Sequence, residues 1–446
     1  MQEYKMMITI QQLYEIFLEQ SSVSIDSRNC PVGSIFFAIR GDNFDGNKYI
    51  LQALDNGCAY AVGDSSSVPK LHNVFKVDDS LKTLQALASH HRKQLNTPIL
   101  AITGTNGKTT TKELIAAVLA TQYQVLFTEG NLNNHIGMPL TLLKLKQEHQ
   151  IAVVEMGASH RGEIKELAEI ALPNMALITN VGKAHLEGFG SFENIIVTKK
   201  ELYDYIHAHG GQFFMNVDNE ILEVMINANR LDIIEPITYG TRGHSSVRGK
   251  VMEINPFLQF EWSFQEQTHR VNSQLVGAYN LENFLAAIAV GLYMNVCPRN
   301  INLALSSYKP TNKRSEMFVS KQNNALIIDT YNANPTSMWA AISNFKQIPH
   351  KSKILILGDM LELGPYSLQE HEKIVSSIKG SDFEKVYLCG KIFCEVLTPS
   401  LTPSHFIVVG DVDRLVKILE KAELRDCQIL LKGSRGIHLE RCIEFL

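Results

Sequence analysis

The chain has no apolar run long enough to span a membrane, no closely paired cysteines and no block of like charge. Each absence excludes a class of function. The longest apolar stretch, Phe284 to Met294, falls well short of the roughly 20 residues that a spanning helix requires. The N-terminal MQEYKMMITIQQLYEIFLEQ is broken by acids and glutamines where a secretory signal has an apolar core and a small-residue cleavage site. A cytoplasmic protein is expected. The seven cysteines, Cys30, Cys58, Cys297, Cys389, Cys394, Cys427 and Cys442, form no CxxC pair. That argues against a disulfide framework and a zinc site, and leaves them as reduced packing residues. A net charge of −4 and a pI near 6.4 leave no footprint for nucleic acid or an acidic membrane surface.

What is present is a globular composition, 45% hydrophobic and 20% charged over 446 residues, which suggests about three domains, each able to bury a core. The stretch that organises them is PILAITGTNGKTTTKELIAAVL, residues 98 to 119. An apolar strand, Ile99 to Ile102, leads into a turn with two glycines, and Leu114, Ile115, Val118 and Leu119 follow at helical spacing. In such a turn Gly104 and Gly107 let the backbone approach an anion, and the amides of Thr105, Asn106 and Thr110 lie near it. Lys108 adds charge, and the Thr109 hydroxyl can ligate magnesium. The full Walker pattern wants a glycine where Ile102 stands, so the match is GxxGKT alone. An ordinary turn is the competing reading.

Downstream, the continuous apolar runs IAVVEM (Ile151 to Met156) and MALITN (Met175 to Asn180) flank the helical pattern GEIKELAEIAL, as in a mostly parallel sheet. Ligands in such sheets sit beyond the carboxyl ends of the strands, where the turn, Glu155 and His185 would all lie. Glu155 is either a magnesium-binding acid or a strand-end charge in water, and His185 alone reads as a surface residue. Lys199 stands out. In SFENIIVTKKELYDYI its helical neighbours are Phe192, Ile195, Ile196, Leu202, Tyr203 and Ile206, so it sits on the apolar face, while Lys200 faces Glu193, Asp204 and His207. A lysine there must snorkel, be paired, or be modified. Residues 232 to 275 read as strands with turns. Asn280 and Asn283 share one side of a helix and suit either an adenine edge or a domain contact. YKPTNK, Tyr308 to Lys313, is the expected linker and hinge.

The last region alternates ALIID, KILILG, KVYLC, HFIVV and QILLK with helices, which implies a doubly wound sheet. Asn334 and Pro335 predict an N-cap and a first-turn proline. The expected architecture is therefore α/β throughout: a small N-terminal domain (1–96), a central P-loop-type, mostly parallel domain (97–312), and a Rossmann-like C-terminal domain (313–446).

Together these stretches resemble the Mur ligases, ATP-dependent ligases of peptidoglycan precursor synthesis. The shared set falls on Lys108, Thr109, Glu155, His185, Lys199, Asn280, Asn283, Arg314 and Asp329. The resemblance implies that Lys199 is carbamylated, that one magnesium sits on Thr109 and Glu155, and that a second is held by His185 and the carbamylated Lys199. It implies that Arg314 and Asp329 complete the ATP site from the third domain. TEGNLNNHIGMPLTLL, DTYNANPTS, LGDMLELG and LKGSRG resemble the branch that adds D-alanyl-D-alanine to UDP-N-acetylmuramoyl-tripeptide. The DNPR- or DDPN-like stretch of the branch adding diaminopimelate or lysine is absent. The DSR and FDG stretches resemble the part that holds the UDP-sugar, which favours Ser27, Arg28, Asp45 and Gly46 as ligand contacts over plain turn residues. Asn133, Asn134, Asn332, Asn334 and Asp359 are further substrate-binding candidates. Two positions depart from the family pattern: Tyr279, where a His commonly precedes the first Asn, and Lys200, where Gly is common. The resemblance implies a monomer working on small molecules. Another Mur-type ligase and a P-loop switch or motor are the alternatives.

Overall fold

The computed structural model describes residues 8–41, 43–227, 235–243, 245–397 and 402–446. Asp42 of the GDNFDG stretch and residues 232–234, expected to open a strand region, lie outside them. Three parallel or mostly parallel sheets follow one another along the chain.

The first sheet has four parallel strands, in the order Val23–Ser24, Ile35–Phe37, Tyr60–Gly63 and Val74–Lys76. Its helix Ser80–Gln94 docks the unit onto the next one with buried polar groups. His91 Nε2 lies 2.8 Å from the Leu145 carbonyl, and Arg92 donates to the Ala171 carbonyl and to Asn174 Oδ1.

The central sheet has nine strands. Ile99–Thr103 lies between Ile151–Glu155 and Met175–Ile178, all parallel. The continuous apolar runs are explained by burial on both faces, since alternate side chains belong to different cores. Ile99, Ala101, Val154 and Ile178 pack with Ile164, Leu167, Ile195 and Leu202 on one side. Leu100, Ile102, Val153 and Leu177 pack with Leu114, Val118 and Phe284 on the other. The far edge is antiparallel, built from Val247–Ile254, Phe257–Phe264 and Gln267–Val276.

The third sheet runs Glu316–Val319, Ala325–Asp329, Gln428–Lys432, Lys353–Gly358, Lys385–Cys389 and Phe406–Val409, parallel except at its first edge strand. Short edge strands such as Val125–Phe127 and Glu316–Val319 escape the sequence pattern, because half-exposed edges lack a long apolar run. All seven cysteines are free thiols. No helix among the described residues is long and apolar enough to cross a membrane.

Candidate active site

The carboxyl edges of the central and third sheets face one another across a cleft of about 1020 Å³. On the central side, strand Ile99–Thr103 passes through the turn into helix Lys108–Leu119. Gly104 has φ 140° and would drive a Cβ to 2.0 Å from Thr179 Oγ1; Gly107, at φ 78°, would meet Asn283 Oδ1 at 2.4 Å. Glycine is required at both by the backbone and by the neighbours. Lys108 Nζ curls back onto the carbonyls of Gly104 (2.7 Å) and Thr105 (3.0 Å). Burial pushes its ammonium down to about 8; the Glu155 charge opposes that shift and the Arg314 charge adds to it. The Lys108 ammonium is thus held by the loop's own carbonyl oxygens, which accept its hydrogen bonds.

Glu155, 2% exposed at its strand end, accepts from Asn133 Nδ2 at 2.7 Å through Oε1. Its Oε2 has no hydrogen-bond partner and lies 3.9 Å from Nζ of Lys112, itself 1% exposed and bonded to the Thr128 carbonyl at 2.6 Å. Among the described residues no three His, Cys, Asp or Glu side chains gather as a metal cage. Magnesium needs no such cage, because it keeps waters and phosphate oxygens and takes one or two protein oxygens. An orphaned buried carboxylate oxygen beside the Thr109 helix fits that demand.

Lys199 is 3% exposed, as its helical position predicts. Its Nζ reaches Thr103 Oγ1, at 3.4 Å, and sits 5.8 Å from the Phe189 ring centre. Burial, reinforced by the like charge of Lys108, pushes its pKa down to about 7, against the pull of Glu163, Glu201 and Glu155. It stands behind the cleft wall, next to the loop strand, rather than on it. Lys200 pairs with Asp204 at 2.6 Å on the outer face.

The third sheet supplies the opposite wall. Asp329 Oδ2 bonds Lys432 Nζ at 2.6 Å, since the parallel register sets those two strand-end residues side by side. Arg314 stacks its guanidinium 3.9 Å over the Tyr331 ring, and its Nε is buried without a partner. Asn334 caps helix Pro335–Gln347 with Ser337 as predicted, and also donates from Nδ2 to Asn106 Oδ1 at 2.8 Å, joining the third unit to the phosphate loop. His185, with φ 51°, pairs through Nδ1 with Glu362 of the GDMLELG turn. That contact holds Glu362 below the usual carboxylate range. Asn280 and Asn283 lie on the cleft wall, but their amides serve the scaffold: Thr111 donates to Asn283 Oδ1 (3.0 Å), Asn283 to Asn280 (2.8 Å), and Asn280 to the Val276 carbonyl. Tyr279 bonds Ser315 at 2.8 Å.

The remaining candidates divide. Asn133, Asn134 and Asn332 line the cleft; Asn134 also caps the helix at Gly137, and Asn332 presents its carbonyl to Lys432. Asp359 does not line it. Its carboxylate is buried, accepting from the amides of Ile392 and Phe393, so it caps a helix. Ser27, Arg28, Asp45 and Gly46 sit in the first unit, off this cleft: Arg28 pairs with Asp26 at 2.9 Å, Asp45 caps Asn47, and Ser27 bonds Gln52. The sequence reading missed Lys112 and Lys432, and it singled out the GDMLELG turn as a pocket element without naming Glu362. Lys432 ends the QILLK strand on the same carboxyl edge as Asp329, and that edge position was the available sign.

Mur ligase family descriptions match three consecutive segments: "Mur ligase family, catalytic domain" at 19–92, "Mur ligase middle domain" at 102–291, and "Mur ligase, glutamate ligase domain" at 313–435. The chain is 36% identical over 434 residues to the UDP-N-acetylmuramoyl-tripeptide–D-alanyl-D-alanine ligase of Bacillus subtilis, covering 95% of this chain and 92% of that one. The chain belongs to the Mur ligase family. The Escherichia coli ligase of the same name is 30% identical, with 98% of each chain covered. Among solved structures, MurF from Acinetobacter baumannii superposes with a TM-score of 0.86 at 28% identity over 97% of both chains. The MurF ligase of Thermotoga maritima in complex with ADP gives 0.82 at 26%, covering 96% of this Mur ligase and 97% of that chain.

Proposed function

We propose that this Mur ligase joins D-alanyl-D-alanine to the terminal carboxylate of UDP-N-acetylmuramoyl-tripeptide, converting ATP to ADP and phosphate through an acyl phosphate. The observation that carries the reading is the shared cleft in which Lys108 and Glu155 from one unit meet Arg314 and Asp329 from another. A motor or switch needs only the loop. A ligase needs a second wall that brings an acceptor to the γ-phosphate. Units 1–96, 97–312 and 313–446 are taken as the UDP-sugar, ATP and dipeptide modules, with Ser27, Arg28, Asp45 and Gly46 in the first.

The obstacle is electrostatic. A carboxylate approaching the γ-phosphate at about 4 Å meets a repulsion of roughly 4 kcal/mol at an effective dielectric near 20. Lys108 and the amides of Thr105 to Thr110 would take the β- and γ-phosphates, and binding that anion would restore the charge that burial disfavours on Lys108. Arg314, stacked on Tyr331 and lining the cleft, would bring its guanidinium charge to the phosphate from the other wall. Asp329, fixed by Lys432, would form the nucleoside side, with Asn280 and Asn283 shaping that wall while their amides brace the scaffold. Thr109 and Glu155 would hold one magnesium ion, and His185 and carbamylated Lys199 a second. These ions would neutralise phosphate and carboxylate charge. The contacts Asn334–Asn106 and His185–Glu362 close the third unit over the loop, which keeps water from the acyl phosphate until the dipeptide amine displaces phosphate and sheds its proton. The protein is taken as a monomer acting in the cytoplasm, where ATP is available.

The test supplies ATP, magnesium, UDP-N-acetylmuramoyl-tripeptide and D-Ala-D-Ala, and follows the product by mass. Pentapeptide formation with equimolar phosphate is expected. Phosphate release that is indifferent to the tripeptide would instead establish the switch reading.

A further inference from the structure

The linker does not hang free between the central and third units. Tyr308, which ends helix Pro298–Ser307, donates its hydroxyl to Glu113 Oε2 at 2.5 Å, and Asn312 Nδ2 donates to the same oxygen at 2.9 Å. Glu113 belongs to the phosphate-loop helix, one turn beyond Thr109. Both ends of the segment expected to be the hinge are therefore fastened to the helix that binds phosphate. The backbone turns immediately afterwards: Lys313 and Ser315 take φ 57° and 51° on either side of Arg314.

We infer that Glu113 is a positioning residue for the ligase reaction. It clamps the linker to the phosphate-loop helix, moves the pivot of the third unit from residues 308–312 to 313–315, and so sets where Arg314 enters the cleft. The chemistry suits the task. One carboxylate oxygen accepting from two neutral donors gives charge-assisted bonds without a counter-cation. The clamp therefore takes its hydrogen bonds from Tyr308 and Asn312, which leaves the Arg314 guanidinium to line the cleft. Nucleotide at the loop and Arg314 from the far wall are then held by one rigid helix. The inference rests on the ligase reading for its kinetic consequence and on the geometry alone for its conformational one.

The experiment compares wild type, Glu113→Ala and Glu113→Gln, the last retaining an acceptor oxygen. Three quantities are measured: the affinity for a non-hydrolysable ATP analogue, kcat and KM for ATP in pentapeptide synthesis, and the radius of gyration by solution scattering with and without the analogue. Glu113→Ala is expected to bind the analogue within about threefold of wild type and to lose kcat about tenfold, the scale of one charge-assisted hydrogen bond. It is also expected to lose the reproducible, nucleotide-bound radius of the wild type. Glu113→Gln restores kcat to within about threefold. Unchanged kcat and scattering in Glu113→Ala, equal losses of affinity and kcat, or a Gln variant as impaired as Ala would each overturn the clamp. If the wild type makes no pentapeptide, the ligase reading fails, while the scattering comparison still decides the clamp.

Discussion

Two buried lysines stand on opposite sides of the cleft and are held in opposite ways. Lys432, 1% exposed, has the Asp329 carboxylate at 2.6 Å and the Asn332 carbonyl at 3.1 Å. Lys199, 3% exposed, has a threonine hydroxyl at 3.4 Å and an aromatic face. The first is held in a salt bridge, its desolvation offset by the carboxylate beside it. The second has no such partner, and burial brings its pKa down to about 7, so that a substantial share of it is the neutral, nucleophilic amine at physiological pH. Burial alone is thus a poor guide to function, and the partner decides.

The sharpest way to break the contrast is to remove the unpaired lysine. Lys199→Ala should lower the ligase rate by about two to three orders of magnitude, the scale of losing one group that stabilises charge in the transition state. Acetate, which refits a carboxylate into the vacated space, should restore part of that rate. A rate within about twofold of wild type would end the carbamate proposal. Next in size is Lys432→Met, which strands the Asp329 carboxylate and should cost about 3 kcal/mol in urea unfolding. The double variant Lys432→Met/Asp329→Asn should recover much of that loss. An additive double variant would show that the pair is not coupled.

The pH dependence separates the two sites further. The unfolded chain keeps the Lys199 proton to its ordinary value, 10.5, while the folded chain releases it near 7. Stability of the unliganded protein should therefore rise with pH between those values, and Lys199→Met should flatten that rise. By the same sign, the neutral amine that reacts with carbon dioxide falls about tenfold per unit below pH 7. The carbamate resonance of protein equilibrated with labelled carbon dioxide should fade from about pH 8 to about pH 6. A resonance that strengthens on acidification would contradict the assignment. The smallest effect belongs to the neighbour on the same helix. Lys200→Ala removes a half-exposed pair with Asp204 and should change stability by no more than about 0.5 kcal/mol, measured in the same urea series.

The difference between Lys199 and Lys200 was legible in the sequence, because helical periodicity alone separates an apolar face from a solvated one. So was the cradle, whose strand, glycines and helix lie within one short stretch, and the Asn334 cap, which depends on residues three apart. Lys432, Lys112 and Glu362 were not. Each gains its meaning from a partner far away in the chain: Asp329 on the adjacent strand, Glu155 across the sheet, His185 across the units. Asp359 shows the converse, a polar residue in a suggestive motif whose carboxylate the tertiary structure uses to cap a helix.

By itself the sequence determined the alternation of strands and helices, the anion-binding turn and the anomaly of a lysine on an apolar face. These follow from short-range sterics and periodicity, which act over a few residues. Only the tertiary structure decided that Lys199 lacks a close counter-charge while Lys432 has one, that Asn280 and Asn283 are spent on the scaffold, and that the linker is pinned by Glu113. Those outcomes depend on which distant groups share one desolvated space, and a buried charge is governed by that space more than by its neighbours along the chain.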